Sequence, residues 1–476
     1  MGEIMKNYSI WNEEQTEILP KISEDKKVDI LIIGGGLTGV SLLYQLKDSK
    51  FKTILVEKNM CGRGVTSKST AKITYLQDLL VTDFKDEKTA SLYLKSQQEA
   101  IKEIKKIITK EKIDCDFEKS PSYLFTNDSA NIQKLERQYL FLKENHIEMN
   151  KEKLEKIPNK LALKVEDTYL FHPLKYLFHL KRILKDFIYE NSPVKKIQKT
   201  KNGYVVSIGK YQIFCSKIVI ATHYPYFLKP LFFPLKNHVE TSFIGVKKEE
   251  NPLPFSAISI DHPILSLRTY QNTLFYLIDS MPTGNIKSIE SHFKKLKSQA
   301  SFDYLWSNKD IMTNDKIPYI GRIFKQDNSF LIACGYNTWG MTNASIASVV
   351  LKDILLEKEN PFEELFDPRR SLNFKKIKAF PWDLMYSGKA VLKSTKNNIN
   401  NQKIKKETRD GQSVLIYVDE KGKEHIVLNR CPHMKCGLVF NEWEKTWDCL
   451  CHGSRFDLDG KCIEGPSNMD ITFSKK

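Results

Sequence analysis

The pattern of apolar and polar positions divides this chain into two unlike parts. Up to about residue 360, short apolar runs alternate with helical periodicities, and beyond about residue 403 only short alternating segments remain. The run Ile30–Ile33 reads as a parallel strand buried on both faces. Val40, Leu42, Leu43 and Leu46 then mark a helix, and Thr53–Val56 a second buried strand. Residues 84–160 mix charges with apolar residues at helical spacing (Leu92, Leu94, Ile101, Ile104, Ile107) and predict helical scaffold. A further helix opens within Phe171–His179, and Lys217–Ala221 predicts a buried strand ending in a small-residue turn. Residues 238–300 hold the β-rich stretches Phe243–Val246 and Leu274–Leu277, which predict a sheet domain beside the first. Phe330–Ala333 is another strand, followed by a glycine turn and a helix carrying Ile346, Val349, Val350, Ile354 and Leu355. A Pro-, Lys- and Asn-rich linker is expected over 361–402. After it, Val414, Ile416, Val418, Ile426 and Leu428 alternate around Asp419–Gly422, a hairpin signal. The expected fold class is α/β plus all-β, with residues 1–27 a polar extension anchored by Trp11.

Chemistry enters where the first strand ends. Gly34, Gly36 and Gly39 give G-x-G-x-x-G, and the second strand closes on Glu57. Strand, glycine turn, helix, strand and terminal acid together make a dinucleotide-binding unit. The glycines let the backbone approach a pyrophosphate at a helix N-terminus, and Glu57 is placed to accept from ribose hydroxyls. FAD and NAD share this pattern. The segment Cys61–Lys72 is dense in hydroxyls, glycine and amines. A solvated loop has the same composition, but its position after the ribose acid suits a flavin's phosphate and ribityl chain.

Near the C-terminus, Cys431-Pro-His433 and Cys449-Leu-Cys451-His452 each offer one Cys and one His. Two thiolates and two imidazoles are the donor set of a Rieske [2Fe–2S] centre. Tetrahedral zinc accepts the same donors. Cys436 and Cys451 stand one short step outside that set, one in each loop.

Composition narrows the class. At 476 residues the chain exceeds one ordinary core, and 41% hydrophobic residues are normal for globular protein. The net charge of +16 comes from scattered lysines among many acids, without an Arg-rich or aromatic-interleaved stripe, so no nucleic-acid partner is expected. No apolar run approaches the ~18 residues that cross a bilayer, and the first residues lack a secretory apolar core. Five of nine cysteines crowd into Cys431–Cys462, which is not a disulfide framework, and a cytoplasmic protein is expected. His172 and His179 have no accompanying carboxylate pattern and read as packing or surface residues.

The Cys431–Cys436 and Cys449–Ser454 boxes resemble the Rieske domain of the cytochrome bc and b6f type. Residues 28–360 resemble the glycine/D-amino acid oxidase family of FAD-dependent oxidoreductases. The matching boxes are the glycine fingerprint, Thr70–Thr74, Ile220–Pro225, Pro318–Arg322 and Trp339–Thr342. The chain looks like a member of a bacterial branch of that family with a C-terminal Rieske domain, here 403–476. The resemblance implies a discontinuous Rossmann-like FAD-binding domain (about 28–80, 200–225 and 315–360) with a mixed β-sheet substrate domain between its parts, then a small antiparallel Rieske domain. It implies that Gly34, Gly36, Gly39, Glu57, Thr70, Ala71, Lys72, Gly335, Trp339, Gly340, Met341 and Thr342 contact FAD. Residues 301–330 hold no Cys that could tether the flavin, so FAD is expected to be noncovalent. It further implies Cys431, His433, Cys449 and His452 as cluster ligands, a Cys436–Cys451 disulfide, and Gly465-Pro466 in the loop covering the cluster. Phe456 stands where that domain often has Tyr, which predicts a lowered reduction potential.

The expected activity is oxidation of a small amine or amino-acid-like substrate by FAD, with electrons passed to the cluster and on to a one-electron acceptor or donor protein. Arg322 and Arg268 are candidates to hold a substrate carboxylate. Oxidase relatives place a Lys ahead of a Thr-Gly, whereas Thr283-Gly284 follows Pro282, so a dehydrogenase is expected. An electron-transfer protein that relays between partners is the alternative, and the length of residues 160–330 favours the enzyme.

Overall fold

Lys26–Ile33 forms the centre of a largely parallel sheet, because its alternating side chains are apolar on both faces and both faces are covered. Thr53–Val56 and then Ile188–Tyr189 pair parallel on one side, and Tyr211–Ile220 pairs parallel on the other. Asp327–Cys334 adds a further parallel strand beside Ile218–Ile220, so the C-terminal part of the first domain closes the sheet begun by its N-terminal part. The helices Leu37–Leu46 and Gly340–Leu355 pack against each other over this sheet. The computed structural model describes residues 5–80, 84, 86–225, 236–282, 286–370 and 404–474.

A second, eight-stranded sheet stands beside the first. Its edge strand Tyr304–Thr313 pairs with Asn237–Lys248, which pairs with Thr273–Pro282, both antiparallel. The expected strands Phe243–Val246 and Leu274–Leu277 face each other there. Residues 84–160 depart from the all-helical expectation. Glu87–Glu111 and Ile132–Glu144 are helices, but Ser122–Thr126 and Met149–Glu152 are strands of the second sheet. Ser122–Thr126 is buried on both faces between Ser256–Ser259 and Leu161–Val165, and this pairing outweighs a weak helical pattern.

Trp11 is fully buried against His172, Tyr270 and Phe275, and its Nε1 donates to the Ser69 carbonyl at 2.7 Å. Leu19 and Ile22 are buried as well, so the N-terminal extension has three anchors rather than one. Of the expected linker, residues 361–370 pack on the first domain: Arg370 donates to Asp315 Oδ2 at 2.6 Å and to the Pro318 carbonyl at 3.0 Å. Residues 371–402 and Thr283-Gly284 lie outside the described residues.

The C-terminal domain is antiparallel β. Ile404–Arg409, Gln412–Val418 and Glu424–Leu428 form one sheet. Leu438–Asn441, Thr446–Cys449, Arg455–Phe456 and Cys462–Glu464 form the other. Trp447, Phe456, Val427 and Ile471 fill the space between them.

Candidate functional site

One cavity runs from the glycine turn of the first sheet to the loops of the C-terminal domain. The glycines make its floor. Gly34 has φ +116°, and a Cβ there would stand 2.4 Å from the Ala221 carbonyl oxygen. Gly36 caps the helix Leu37–Leu46 with no side chain of its own, Thr66 Oγ1 accepts from the Leu37 N–H at 3.1 Å, and this helix N-terminus lies in the cavity wall. The helix Gly340–Leu355 likewise begins without a side-chain cap, with Gly340 and Met341 in the wall. Glu57 lines the cavity and accepts from the Gly35 N–H at 2.7 Å and the Asn59 N–H at 2.9 Å. Burial pushes its carboxyl up, and those two N–H donors oppose the shift. Two helix N-termini and a carboxylate with spare lone pairs in one glycine-floored cavity fit FAD.

The expected cofactor residues divide. Gly34, Gly36, Glu57, Gly340 and Met341 line the cavity. Gly39 serves the packing beneath it, since a Cβ there would meet the Gly34 carbonyl oxygen at 2.0 Å. Thr70, Ala71 and Lys72 lie outside the lining, with Lys72 Nζ donating to Ser266 Oγ at 2.6 Å. Trp339 turns its Nε1 to Asp78 at 3.1 Å, and Thr342 accepts from Gln77 at 2.8 Å. Gly335 stands at φ +75°, where a Cβ would meet Thr313 Cγ2 at 2.4 Å.

Neither arginine reaches the cavity. Arg322 points from the strand Tyr319–Phe324 to Glu363 and forms an ion pair there. Arg268 is fully buried, and its Nη1 donates to the Thr70 carbonyl at 2.5 Å and the Ala71 carbonyl at 2.9 Å. Their expected role on a substrate carboxylate finds no support in this cavity. Arg322 pairs with Glu363, Arg268 donates to backbone carbonyls, and neither lines it, although Arg268 Nη2 and Arg322 Nε stay buried without a partner. Thr66, from the hydroxyl-rich segment expected beside the flavin, lines the wall, whereas sequence reasoning missed Asn308 and Lys309, which line it too. Polar residues in succession on an otherwise apolar strand, Ser307–Asp310, were the available signal.

The C-terminal loops close the other end. The His433 and His452 rings are 4.9 Å apart, and each has a buried Nδ1 without a hydrogen-bond partner. Cys431 and Cys449 face each other: their mutual contact draws the Cys431 thiol down to about 6 and pushes Cys449 well up. N–H groups of His433 and Met434 and the Ser454 hydroxyl also hold Cys431 down. Two converging sulfurs and two orphaned imidazole nitrogens fit a two-Cys, two-His iron–sulfur cluster. A disulfide joins Cys436 to Cys451, with Cα atoms 6.6 Å apart. Ser454 Oγ accepts from the Ser467 N–H at 2.9 Å and pins the Gly465-Pro466 loop.

Polar contacts fasten these loops to the first domain. Lys309 Nζ donates to the Gly453 carbonyl at 2.6 Å, and Lys68 pairs with Glu464. Arg455 binds Asp448 and Glu444, each at 3.0 Å, and Ser307 Oγ at 2.9 Å. Trp443 stacks on Phe293 with ring centres 5.5 Å apart. His452, Glu464 and Gly465 are consequently part of the cavity wall, and the Tyr224 ring lies 6.1 Å from His433.

The sequence pattern of the DAO family, FAD dependent oxidoreductases, matches residues 29–354. This chain belongs to that family. The Rieske [2Fe-2S] domain pattern matches residues 390–473. YhfW of Bacillus subtilis (strain 168), named as a Rieske 2Fe-2S iron-sulfur protein, is 31% identical over 478 residues, covering 94% of this chain and 93% of its own. Gamma-glutamylputrescine oxidoreductase of Escherichia coli (strain K12) is 23% identical over 70% of this chain and 85% of its own. Among solved structures, glycine oxidase from Geobacillus kaustophilus has a TM-score of 0.61 at 16% identity, over 73% of this chain and all of its own. As a member of the family with this second domain, the protein is an oxidoreductase whose cofactors are FAD and a Rieske [2Fe–2S] cluster. No helix among the described residues is long and apolar enough to cross a membrane.

Proposed function

We propose that the protein oxidises a small amine or amino-acid-like substrate and passes the electrons from its FAD to its Rieske cluster. The observation that carries this reading is that His452 lines the same cavity as Gly34 and Glu57. FAD supplies hydride acceptance and release of electrons one at a time, which matches the one-electron capacity of a Rieske cluster. In this reading Gly34, Gly36 and the two helix N-termini hold the pyrophosphate and the flavin end, and Glu57 holds the ribose. Cys431 and Cys449 bind one iron, His433 and His452 the other. Lys309 and Arg455 keep the cluster loops seated on the cavity, and the second sheet excludes water from it.

The names of two similar proteins, a gamma-glutamylputrescine oxidoreductase and a glycine oxidase, support a small nitrogen-bearing substrate. Delivery to a cluster rather than to oxygen makes the protein a dehydrogenase, with a one-electron acceptor or donor protein completing the path. The buried free thiols Cys61, Cys115, Cys215 and Cys334 fit a reducing cytoplasmic setting.

The test is anaerobic. A panel of amines and amino acids is added to the purified protein while its visible spectrum and EPR signal are recorded. Bleaching of the flavin followed by a reduced Rieske signal is the expected result. Reduction by a ferredoxin-type donor alone, with every amine and amino acid inert, would establish the relay in its place.

A further inference from the structure

The second sheet gives the cavity one carboxyl side chain, Asp310. Glu240 and Asp310 stand directly opposite each other on neighbouring strands, so their side chains share one face. Like charges so placed repel, and Asp310 is only 9% exposed. Glu240 is held by His238 Nε2 at 3.1 Å and by Ser280 Oγ at 2.6 Å. Asp310 receives only neutral donors, Asn308 Nδ2 at 3.0 Å and the Ser242 hydroxyl. No salt bridge reaches Asp310 among the described residues. Asn308, itself 5% exposed, keeps a buried Oδ1 with no partner, and both side chains line the cavity. A charged acceptor and a neutral acceptor thus face one space with no cation between them. Such a pair is costly unless a donor arrives.

The cations of the cavity are already engaged. Lys309 donates to the Gly453 carbonyl, Arg63 to the Asn12 and Glu14 carbonyls, and Lys58 to the Cys462 carbonyl. Arg322 and Arg268 lie outside the cavity lining, as described above. A substrate carboxylate would find repulsion at Asp310, whereas an ammonium would give Asn308 Oδ1 its missing donor and Asp310 a counter-charge.

Building on the oxidoreductase reading, we infer that the Asp310 carboxylate and the Asn308 side-chain carbonyl bind the ammonium group of a substrate amine that carries no carboxylate beside its nitrogen. Asp310 is then the specificity-determining residue of the pocket. Burial, and next the facing Glu240, push its carboxyl up to about 7, and a bound ammonium offsets both effects.

The experiment is a binding titration of the protein carrying both cofactors, read from the visible flavin spectrum, with n-butylammonium and with butyrate. The expected result is a saturable perturbation by n-butylammonium and none by butyrate. Asp310→Asn is expected to weaken n-butylammonium binding by roughly tenfold or more, with flavin and iron contents unchanged. The wild-type comparison decides the matter even where the variant fails to fold. Butyrate binding as tightly as n-butylammonium, binding of neither ion, or an unchanged affinity in Asp310→Asn would each overturn the inference. Asp310-dependent binding of n-butylammonium in a protein that no amine reduces would instead remove the oxidation reading and leave the recognition site standing.

Discussion

Lys309 and Gly453 are joined across the two domains by a 2.6 Å hydrogen bond from Nζ to the backbone carbonyl. Lys309 belongs to the cavity wall, and Gly453 follows His452, so one side chain ties the cavity to the C-terminal loop. His223 Nε2 meets the carbonyl of the same lysine at 2.9 Å, which anchors that stretch of strand to the first domain as well.

Lys309→Met removes this tie. The expected outcome is a loss of roughly 2 kcal/mol of stability, the size of one buried hydrogen bond to a charged group. Stopped-flow spectra should show cluster reduction slowing more than flavin reduction. Equal slowing of both phases would argue against a role in seating the loop.

Gly39→Ala tests the floor of the cavity. Its new Cβ would stand 2.0 Å from the Gly34 carbonyl oxygen, so the helix and glycine turn must separate. Flavin content after purification in excess FAD is expected to fall well below one per chain, with a smaller fall in iron content.

Lys72 offers a pH signature. Burial, with Arg268 second, lowers its pKa to about 7, against an unfolded value of about 10.4. Folding therefore penalises the charged form: stability is lowest below about pH 7 and rises as pH climbs toward the unfolded pKa. Lys72→Met is expected to raise Tm at about pH 6 and to show a smaller gain near pH 10. Thermal melts of the two proteins at both values check the sign.

Phe456 is fully buried in the core beneath the cluster loops. Phe456→Tyr introduces a phenolic donor where related domains often carry one. An EPR-monitored redox titration is expected to show the potential rising by roughly 40 mV, the one-electron equivalent of a ~1 kcal/mol hydrogen bond.

What could be read from the sequence was what is local. The glycine fingerprint, Glu57 and the two Cys/His boxes each depend on spacings of a few residues or on one strand–helix–strand unit, and the structure assembles them together. The facing of two acids depends instead on register. Glu240 and Asp310 are 70 positions apart and meet only because Asn237–Lys248 pairs with Tyr304–Thr313. Arg322 shows the same limit from the other side: its box matched, but the pairing of its strand aims it at Glu363. Ser122–Thr126 failed as a helix because its partners are distant in sequence.

His452, Glu464 and Gly465 belong to the loops proposed to hold the cluster, and they also wall the space that FAD fits. Whatever orders those loops improves the fit of FAD, and FAD in place orders the loops by the same free energy, because such coupling is reciprocal. The two cofactors' occupancies are therefore expected to be linked: a cell short of iron should yield chains that also hold their flavin poorly. Added FAD should, in turn, slow the loss of iron to a chelator.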